Sequence, residues 1–314
     1  MSSQIPLADE HLIHTYIQSL TLPDKKSHKG NNGKVLIIGG SSLFHGAVLW
    51  AAEIASHIVD MVHVASTKEN NEIIRAIKIA WQSGIVISQK DIPTYTQEDD
   101  VVLVGNGMMR DNEIKARSLK FKAEKMSWER VLSLENEGEF TRSCVYYLIT
   151  TFPDKRFIFD AGALQMMDAD WLAQLHTKAI LTPHQKEFMS LFGVDVREMD
   201  LEEKIKTVEE VASKHNCVIL LKAIDDIISD GKKTVVVRGG NAGLTKGGTG
   251  DVLAGLVAAL SVHSDPVPSA VISSYLLKRI AEKLYQVKGH WYSIRDIIGA
   301  IPSFFYTLTE RVRD

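Results

Sequence analysis

The sequence predicts an α/β protein built on a mostly parallel sheet with helices on both faces. Short runs of β-branched and aliphatic residues alternate with helical segments along the 314-residue chain, as in successive βαβ units. The runs are almost continuously apolar, as expected of strands buried on both faces. Lys34–Ile38 (KVLII), for example, is followed by an alanine-rich helix from Gly46 to Ile58 and then by Met61–Ala65 (MVHVA).

The same pattern continues to the end of the chain and predicts nine strands. They are Lys34–Ile38, Met61–Ala65, Gly84–Ile87, Val101–Val104, Arg156–Asp160, Lys178–Leu181, Cys217–Leu221, Asp226–Ser229 and Thr234–Val237. Asp230-Gly231 predicts a hairpin turn between the last two. Without a linker or repeat in the sequence, residues 1–314 are expected to form a single domain, with 110–151 as a peripheral insertion.

Composition and charge restrict the class of protein. A net charge of −3 gives no basic surface for nucleic acid or a membrane. Cys144 and Cys217 lack CxxC spacing, so neither a zinc site nor a disulfide framework is expected. The N-terminus does not resemble a signal peptide, and no apolar stretch is long enough to span a bilayer. We therefore expect a soluble, cytoplasmic protein.

The strongest local signal is the glycine-rich segment from Asn241 to Asp251 (NAGLTKGGTGD), which precedes an apolar helix. Glycines allow a backbone to approach a ligand closely, and the amides at a helix N-terminus bind anions. Thr249 adds a hydroxyl donor. The segment is not a Walker A loop, because it lacks the GxxxxGK[ST] order.

Asp251 lies beside this predicted anion site, and two interpretations of it are open. An acid in the first turn of a helix can stabilise the helix terminus. Alternatively, Asp251 is a general base that takes a proton from a substrate hydroxyl during phosphoryl transfer.

Four further segments follow predicted strands, where open α/β sheets bind ligands, but each is a weak signal alone. Gly39-Gly40-Ser41-Ser42 and Gly105-Asn106-Gly107 are glycine turns. In Thr182 to Glu187 (TPHQKE), His184 could bind a ligand and Glu187 could orient a Mg²⁺-bound water, or both could cap a helix. Lys222 is a cation at a strand end that could meet a phosphate, or a solvated lysine.

Taken together and in order, these segments resemble a known family. They are HKGNNGKVLIIGGSS (28–42), VGNG (104–107), FDAGAL (159–164), LTPHQKEF (181–188), LLK (220–222) and NAGLTKGGTGDVLAG (241–255). This combination resembles the ADP/ATP-dependent NAD(P)H-hydrate dehydratases of the ribokinase-like superfamily, from about residue 25 to 303. The resemblance implies a ribokinase-like three-layer α/β/α sandwich.

The resemblance also implies an activity and roles for residues. The enzyme would use ATP or ADP with Mg²⁺ to phosphorylate the ring hydroxyl of NADH or NADPH hydrate, and phosphate loss would restore the cofactor. Asp251 would be the base. The nucleotide would be held by Lys222, Ala223, Ile224, Asp225, Asp226, Asn241, Gly247, Gly248, Thr249 and Gly250. The hydrate would contact Ala47, Gly105, Gly107 and His184. Family members are often homo-oligomers, so the resemblance allows a homo-oligomer here but does not fix the oligomeric state.

Several positions depart from the family pattern. The usual GPG turn reads Gly105-Asn106-Gly107, and the usual DADAL reads Asp160-Ala161-Gly162-Ala163-Leu164. The usual KG..T reads Lys222-Ala223-Ile224-Asp225-Asp226, which adds a Cβ and two acids where phosphate is expected. Two alternatives therefore remain: a small-molecule kinase of the same superfamily, and a nucleotide-binding protein without turnover.

Overall fold

The protein, here a computed structural model, folds around one nine-stranded sheet. The structure describes residues 7–77, 81–117 and 126–310. The strands are β1 (Lys34–Ile38), β2 (Met61–Ala65), β3 (Gly84–Ile87), β4 (Val101–Val104), β5 (Arg156–Phe159), β6 (Ile180–Leu181), β7 (Val218–Leu221), β8 (Asp226–Ser229) and β9 (Thr234–Val237). Each lies within a predicted run, so local sequence alone places the strands.

Helices occupy most of the remaining chain. They are α1 (Glu10–Gln18), α2 (Gly46–Ala55), α3 (Lys68–Ile77), α4 (Ile92–Glu98), α5 (Asn112–Arg117), α6 (Trp128–Leu132), α7 (Glu137–Thr151), α8 (Ala161–Met166), α9 (Gln185–Phe192), α10 (Leu201–Lys214), α11 (Thr249–His263), α12 (Pro266–Lys288) and α13 (Ile294–Glu310). None of the helices in these described ranges is both long and apolar enough to cross a membrane.

The strand order is β3-β2-β1-β4-β5-β6-β7-β8-β9. Strands β1 to β7 are parallel to their neighbours, whereas β8 is antiparallel to both β7 and β9. The mostly parallel sheet and the hairpin between β8 and β9 are therefore confirmed.

Two hydrophobic layers cover the sheet. Successive strand residues point to opposite faces, so Val35 and Ile37 of β1 pack in one cluster and Leu36 and Ile38 in the other. Helices α1, α2, α11, α12 and α13 contribute to the first cluster, and α6 to α10 contribute to the second. This arrangement is the predicted α/β/α sandwich.

The segment assigned to a peripheral insertion, 110–151, is only partly at the periphery. Cys144, Val145, Leu148 and Ile149 of α7 are fully buried in the second cluster. Residues 118–125 of the segment lie outside the described residues. The polar composition that predicted a surface position is concentrated before α7, whereas α7 itself is a core helix. That this segment is an insertion stays a prediction.

The chain order of the strands determines where a ligand can bind. The chain proceeds outward from β1 to β2 and β3 and then returns to place β4 on the other side of β1. At such a switch point the loops after the two adjacent strands diverge and leave a crevice. The loops after β1 and β4 contain the glycine turns at Gly39-Gly40 and Gly105-Asn106-Gly107.

Close packing of α11 on α2 sets the position of the helix that carries Asp251. A Cβ on Gly255 of α11 would lie 2.4 Å from the carbonyl oxygen of Ala51. Gly-to-Ala substitutions inside helices normally stabilise by up to about 1 kcal/mol. Here we expect Gly255→Ala to destabilise by about 2 kcal/mol, because backbone has to move. Gly299→Ala in α13, where a Cβ meets no atom within 4 Å, should stabilise; denaturant unfolding of both variants measures this difference in sign.

Candidate active site

Strand β4 ends in a turn that packs directly on the end of β5. Gly105 has φ +123°, and a Cβ there would lie 1.9 Å from the carbonyl oxygen of Asp160. Only glycine adopts this conformation at this distance without displacing the backbone. The turn therefore brings Asn106 and Asp160 together at the carboxyl edge of the sheet.

Helix α11 begins beside this edge without a side-chain cap. Its N-cap residue is Gly248, with φ +101° and no capping hydrogen bond from a side chain. The amides of the first turn lack intrahelical acceptors and carry the positive end of the helix dipole. The Thr249 hydroxyl is buried without a partner among the described residues. The Thr249 amide donates to the Lys246 carbonyl at 3.2 Å, and the remaining donors lie where the sequence predicts an anion site.

Asp251 lies in the first turn of α11. Its Oδ1 accepts a hydrogen bond of 2.8 Å from Asn106 Nδ2, and the residue lines an open cleft. The charge of Asp251 also lies in the first turn of α11, as that of a helix-stabilising acid would, so both interpretations are compatible with these contacts. That Asp251 is a general base stays a prediction.

A hydrogen-bonded series links Asp251 to the strand ends. Asn106 Nδ2 also donates to Asp160 Oδ2 at 3.0 Å, and Lys222 Nζ donates to Asp160 Oδ1 at 2.8 Å. Thr182 Oγ1 donates to the same Oδ1 at 2.8 Å. Three donors from three strand ends thus bond the buried Asp160 carboxylate, and Asn106 links it to Asp251 of α11.

This environment shifts the pKa values of Asp251 and Lys222. Burial, with help from the nearby Asp160 carboxylate, raises the pKa of Asp251 to about 6, while the Asn106 hydrogen bond and Lys222 oppose the rise. Burial alone lowers the pKa of Lys222, but Asp160 and Glu187 outweigh it, so the net shift is upward. Asp251 can therefore exchange a proton near neutral pH, and Lys222 stays cationic.

The cleft in front of Asp251 has a volume of about 740 Å³. It is lined by residues 43–47 and Trp50 after β1, by residues 107–110 after β4, by Ala161, Gly162 and Gln165 around α8, and by Gly247, Gly248 and Asp251. Leu43, Phe44 and Trp50 give one side an apolar wall, and Arg110 is a cation at its rim. The crevice expected at the β1–β4 switch point is therefore present.

The structure brings many of the predicted site residues together. Ala47, Gly107, Gly247, Gly248 and Asp251 all line the cleft. A Cβ on Gly250 would lie 3.5 Å from Lys222 Nζ, so the lysine reaches the start of α11 next to Thr249. Gly105 is buried beneath the cleft.

The two acids of the segment Ala223 to Asp226 are bonded to neighbouring residues of the fold. Asp226 accepts from the Ala223 amide at 2.9 Å and from Ser274 Oγ at 2.7 Å, and its carboxylate lies 3.5 Å from Lys278 Nζ. Asp225 pairs with Arg238 at 3.3 Å, and Ile224 is 91% exposed. Asp226, one of the predicted nucleotide contacts, therefore uses its carboxylate in bonds within the protein.

The Asn241 side chain is also hydrogen-bonded within the protein. Its Oδ1 accepts from the Gly243 amide at 2.9 Å and the Tyr292 hydroxyl at 2.8 Å, and its Nδ2 donates to the Ala281 carbonyl at 2.8 Å. This side chain shapes the loop before α11, which positions Gly247 and Gly248 for a ligand.

His184 and Glu187 form a capping box at the start of α9. The Glu187 amide donates to His184 Nδ1 at 3.0 Å, and the His184 amide donates to Glu187 Oε2 at 2.9 Å. Gln165 donates to the other Glu187 oxygen at 2.9 Å. The capping alternative is therefore present in the structure, although His184 stays half-exposed and paired with Lys222 in a backbone bridge.

The residues do not form a dedicated metal cage. In the ranges that the structure describes, no three His, Cys, Asp or Glu side chains are close enough to hold an ion. Both oxygens of Glu187 and of Asp160 already accept hydrogen bonds. Mg²⁺ usually enters such sites with substrate phosphates and its own waters, so a metal here would be held mainly by the nucleotide.

Sequence reasoning missed several residues of the site. Asp160, Asn106, Gln165 and Thr182 were not assigned roles, although Asp160 ends a predicted strand as an acid, and that position is a signal in itself. Trp50, which packs against the first hydrophobic cluster, also lines the cleft. The free thiols of Cys144 and Cys217 are buried, which raises the pKa of each to about 12 and leaves them unreactive.

Comparison with known proteins agrees with this geometry. Residues 35–303 match the sequence model of the family described as NAD(P)H-hydrate dehydratase. A bifunctional NAD(P)H-hydrate repair enzyme Nnr of Methanocaldococcus jannaschii is 33% identical over 293 residues, which are 91% of this chain and 51% of that protein. The chain thus spans about half the length of this relative.

Two other proteins match over nearly their whole length. An ADP-dependent (S)-NAD(P)H-hydrate dehydratase of Cenarchaeum symbiosum is 30% identical over 290 residues, which are 89% of this chain and 90% of that protein. The ADP/ATP-dependent NAD(P)H-hydrate dehydratase from Bacillus subtilis, co-crystallized with ATP/Mg²⁺, superimposes with a TM-score of 0.72 at 21% identity, covering 98% of this chain and 100% of that one. The predicted ribokinase-like fold is confirmed, and the chain belongs to the NAD(P)H-hydrate dehydratase family.

Proposed function

We propose that this chain uses ATP or ADP to dehydrate NADH or NADPH hydrate. The observation that carries the proposal is the position of Asp251: a partly buried carboxylate with a pKa raised to about 6, at the start of α11 and on the wall of a ligand-sized cleft. A general base works best when its pKa is close to the operating pH and its proton donor is within reach. The proposal agrees with the family to which the chain belongs.

The first step is phosphoryl transfer. The hydroxyl oxygen of the reduced ring attacks the terminal phosphorus, its proton goes to Asp251, and the bond from phosphorus to the nucleotide oxygen breaks. The amides at the start of α11, the Thr249 hydroxyl and the Lys222 ammonium are close together, and they would stabilise the charge of a phosphoryl group bound there. This step converts a poor leaving group into phosphate.

The second step is elimination. The lone pair of the ring nitrogen expels phosphate as the carbon–oxygen bond breaks, and the adjacent carbon then loses a proton to solvent, which restores the ring double bond. The apolar wall of Leu43, Phe44 and Trp50 suits a planar ring. The cleft therefore fits the chemistry of both steps.

The test uses the wild-type protein with prepared NADH hydrate and NADPH hydrate, each with ATP and with ADP, while the absorbance of dihydronicotinamide is followed. We expect regeneration with at least one nucleotide. A stable phosphorylated product without regeneration would instead indicate a small-molecule kinase. Nucleotide binding with neither outcome would indicate a protein without turnover and overturn the proposal.

The pH profile of regeneration should show Asp251 directly. Its carboxylate accepts the proton only when ionised, and its pKa is about 6. We expect kcat/KM to fall tenfold per pH unit below about pH 6 and to be flat above it on this limb. A profile that is flat down to about pH 4 would contradict the assignment of the base.

A further inference from the structure

One buried amide lies between the two carboxylates at the centre of the site. Asn106 Nδ2 is 2.8 Å from Asp251 Oδ1 and 3.0 Å from Asp160 Oδ2. A primary amide has two N–H groups, so each carboxylate can receive one. Asn106 and Asp160 are both buried, and hydrogen bonds of this charge-assisted kind are the stronger ones.

The two carboxylates fix the orientation of the Asn106 amide, and this orientation leaves its side-chain oxygen without a hydrogen bond. Its Oδ1 is buried and finds no hydrogen-bond partner in the part of the chain that the structure describes. Turning the amide over would satisfy nothing and would direct Oδ1 at two carboxylates. The residue therefore leaves an acceptor unsatisfied while both donors serve Asp160 and Asp251.

The charged surroundings make this donor pair important for Asp251. The titratable groups facing it are Asp160 after β5, Glu187 in α9 and Lys222 after β7, with His45 and Arg110 on the cleft walls. Two of these are carboxylates that disfavour ionisation of a third. Lys222 bonds Asp160 rather than Asp251, and His45 bonds Asn70. Asn106 is thus the neutral group that separates the carboxylates of Asp160 and Asp251.

We propose that Asn106 is a positioning residue for Asp251: it anchors Oδ1, leaves Oδ2 for the substrate hydroxyl, and keeps the base ionised beside Asp160. The role rests on the proposed function of Asp251 as the base.

Carbon-13 NMR of the aspartate carboxyl groups tests this without turnover. The Asp251 resonance is assigned as the one that disappears in Asp251→Asn, and it is titrated in wild type, Asn106→Ala and Asn106→Asp. We expect its midpoint to rise by about one pH unit in Asn106→Ala, which loses the donor. Asn106→Asp, which keeps the side-chain shape but adds a carboxylate, should raise it further.

Asn71→Ala is the matched control, since Asn71 is another buried amide at the same end of the sheet, and its side chain bonds the Ser66 amide and the Ile87 carbonyl instead of a carboxylate. It should lower stability without moving the Asp251 midpoint. An unchanged midpoint in Asn106→Asp or Asn106→Ala, or an equal shift in Asn71→Ala, would overturn the proposal. Because the midpoint needs no substrate, the two failures can be told apart: a chain that titrates as expected but regenerates no cofactor would contradict the proposed function, while the effect of Asn106 on the ionisation of Asp251 would stand.

Discussion

Asp251→Asn should reduce the rate of cofactor regeneration by about 10²–10⁴-fold, the usual cost of losing a general base. The asparagine cannot take the hydroxyl proton, but its side chain keeps the size and place of the carboxylate. Nucleotide affinity, measured by calorimetry, should therefore change by no more than a few-fold. Retention of activity within several-fold of wild type would show that another group is the base.

The same substitution should make the protein more stable. The pKa of Asp251 rises on folding from its ordinary value of 3.8 to about 6, so the folded state binds this proton more tightly than the unfolded state. The ionised carboxylate is therefore destabilising above about pH 6, by about 2–3 kcal/mol. Unfolding at about pH 8 should show Asp251→Asn as the more stable protein, and the difference should shrink as the pH falls towards 4.

Lys222→Met should have the largest effect on nucleotide binding and also destabilise the fold. The substitution leaves the carboxylate of Asp160, which is 2% exposed, without its cation. Removing one partner of a buried pair typically costs about 3–5 kcal/mol. Loss of the ammonium beside the start of α11 should also weaken nucleotide binding by tenfold or more.

A double variant separates these two effects. Lys222→Met with Asp160→Asn removes both charges, so it should recover most of the lost stability while nucleotide affinity stays low. Lys178→Met breaks another ion pair, in which Lys178 Nζ lies 3.2 Å from Asp230. Lys178 precedes β6, so this pair lies at the opposite end of the strands from Lys222. That control should lower stability and leave nucleotide affinity unchanged. Recovery of affinity in the double variant would mean that Lys222 acts only through folding.

The strands could be predicted from the sequence because their signal is local. A strand buried on both faces of a parallel sheet is a continuous apolar run, and Lys34–Ile38 or Val101–Val104 is recognisable without knowledge of its neighbours. The start of α11 was recognisable for the same reason, since its glycines and Asp251 are adjacent in sequence.

The partners of Asp251 could not be predicted in this way. Asn106 and Asp251 are separated by 145 positions in sequence, and they meet only because β4 lies between β1 and β5. Asp226 shows the converse: its sequence position predicted a nucleotide contact, but Ser274 and Lys278 of α12 bind its carboxylate. A motif fixes the place of a residue along the chain, whereas tertiary neighbours decide where its side chain points.

The stoichiometry of a single reaction mixture tests most directly whether Asp251 takes the proton of a hydroxyl that is being phosphorylated. Nucleotide consumed, inorganic phosphate released and dihydronicotinamide formed are measured together, for wild type and for Asp251→Asn. We expect the three amounts to be equal for wild type and all three to be strongly reduced for the variant. Dihydronicotinamide formed without phosphate release, or equal coupled turnover by Asp251→Asn, would contradict this chemistry.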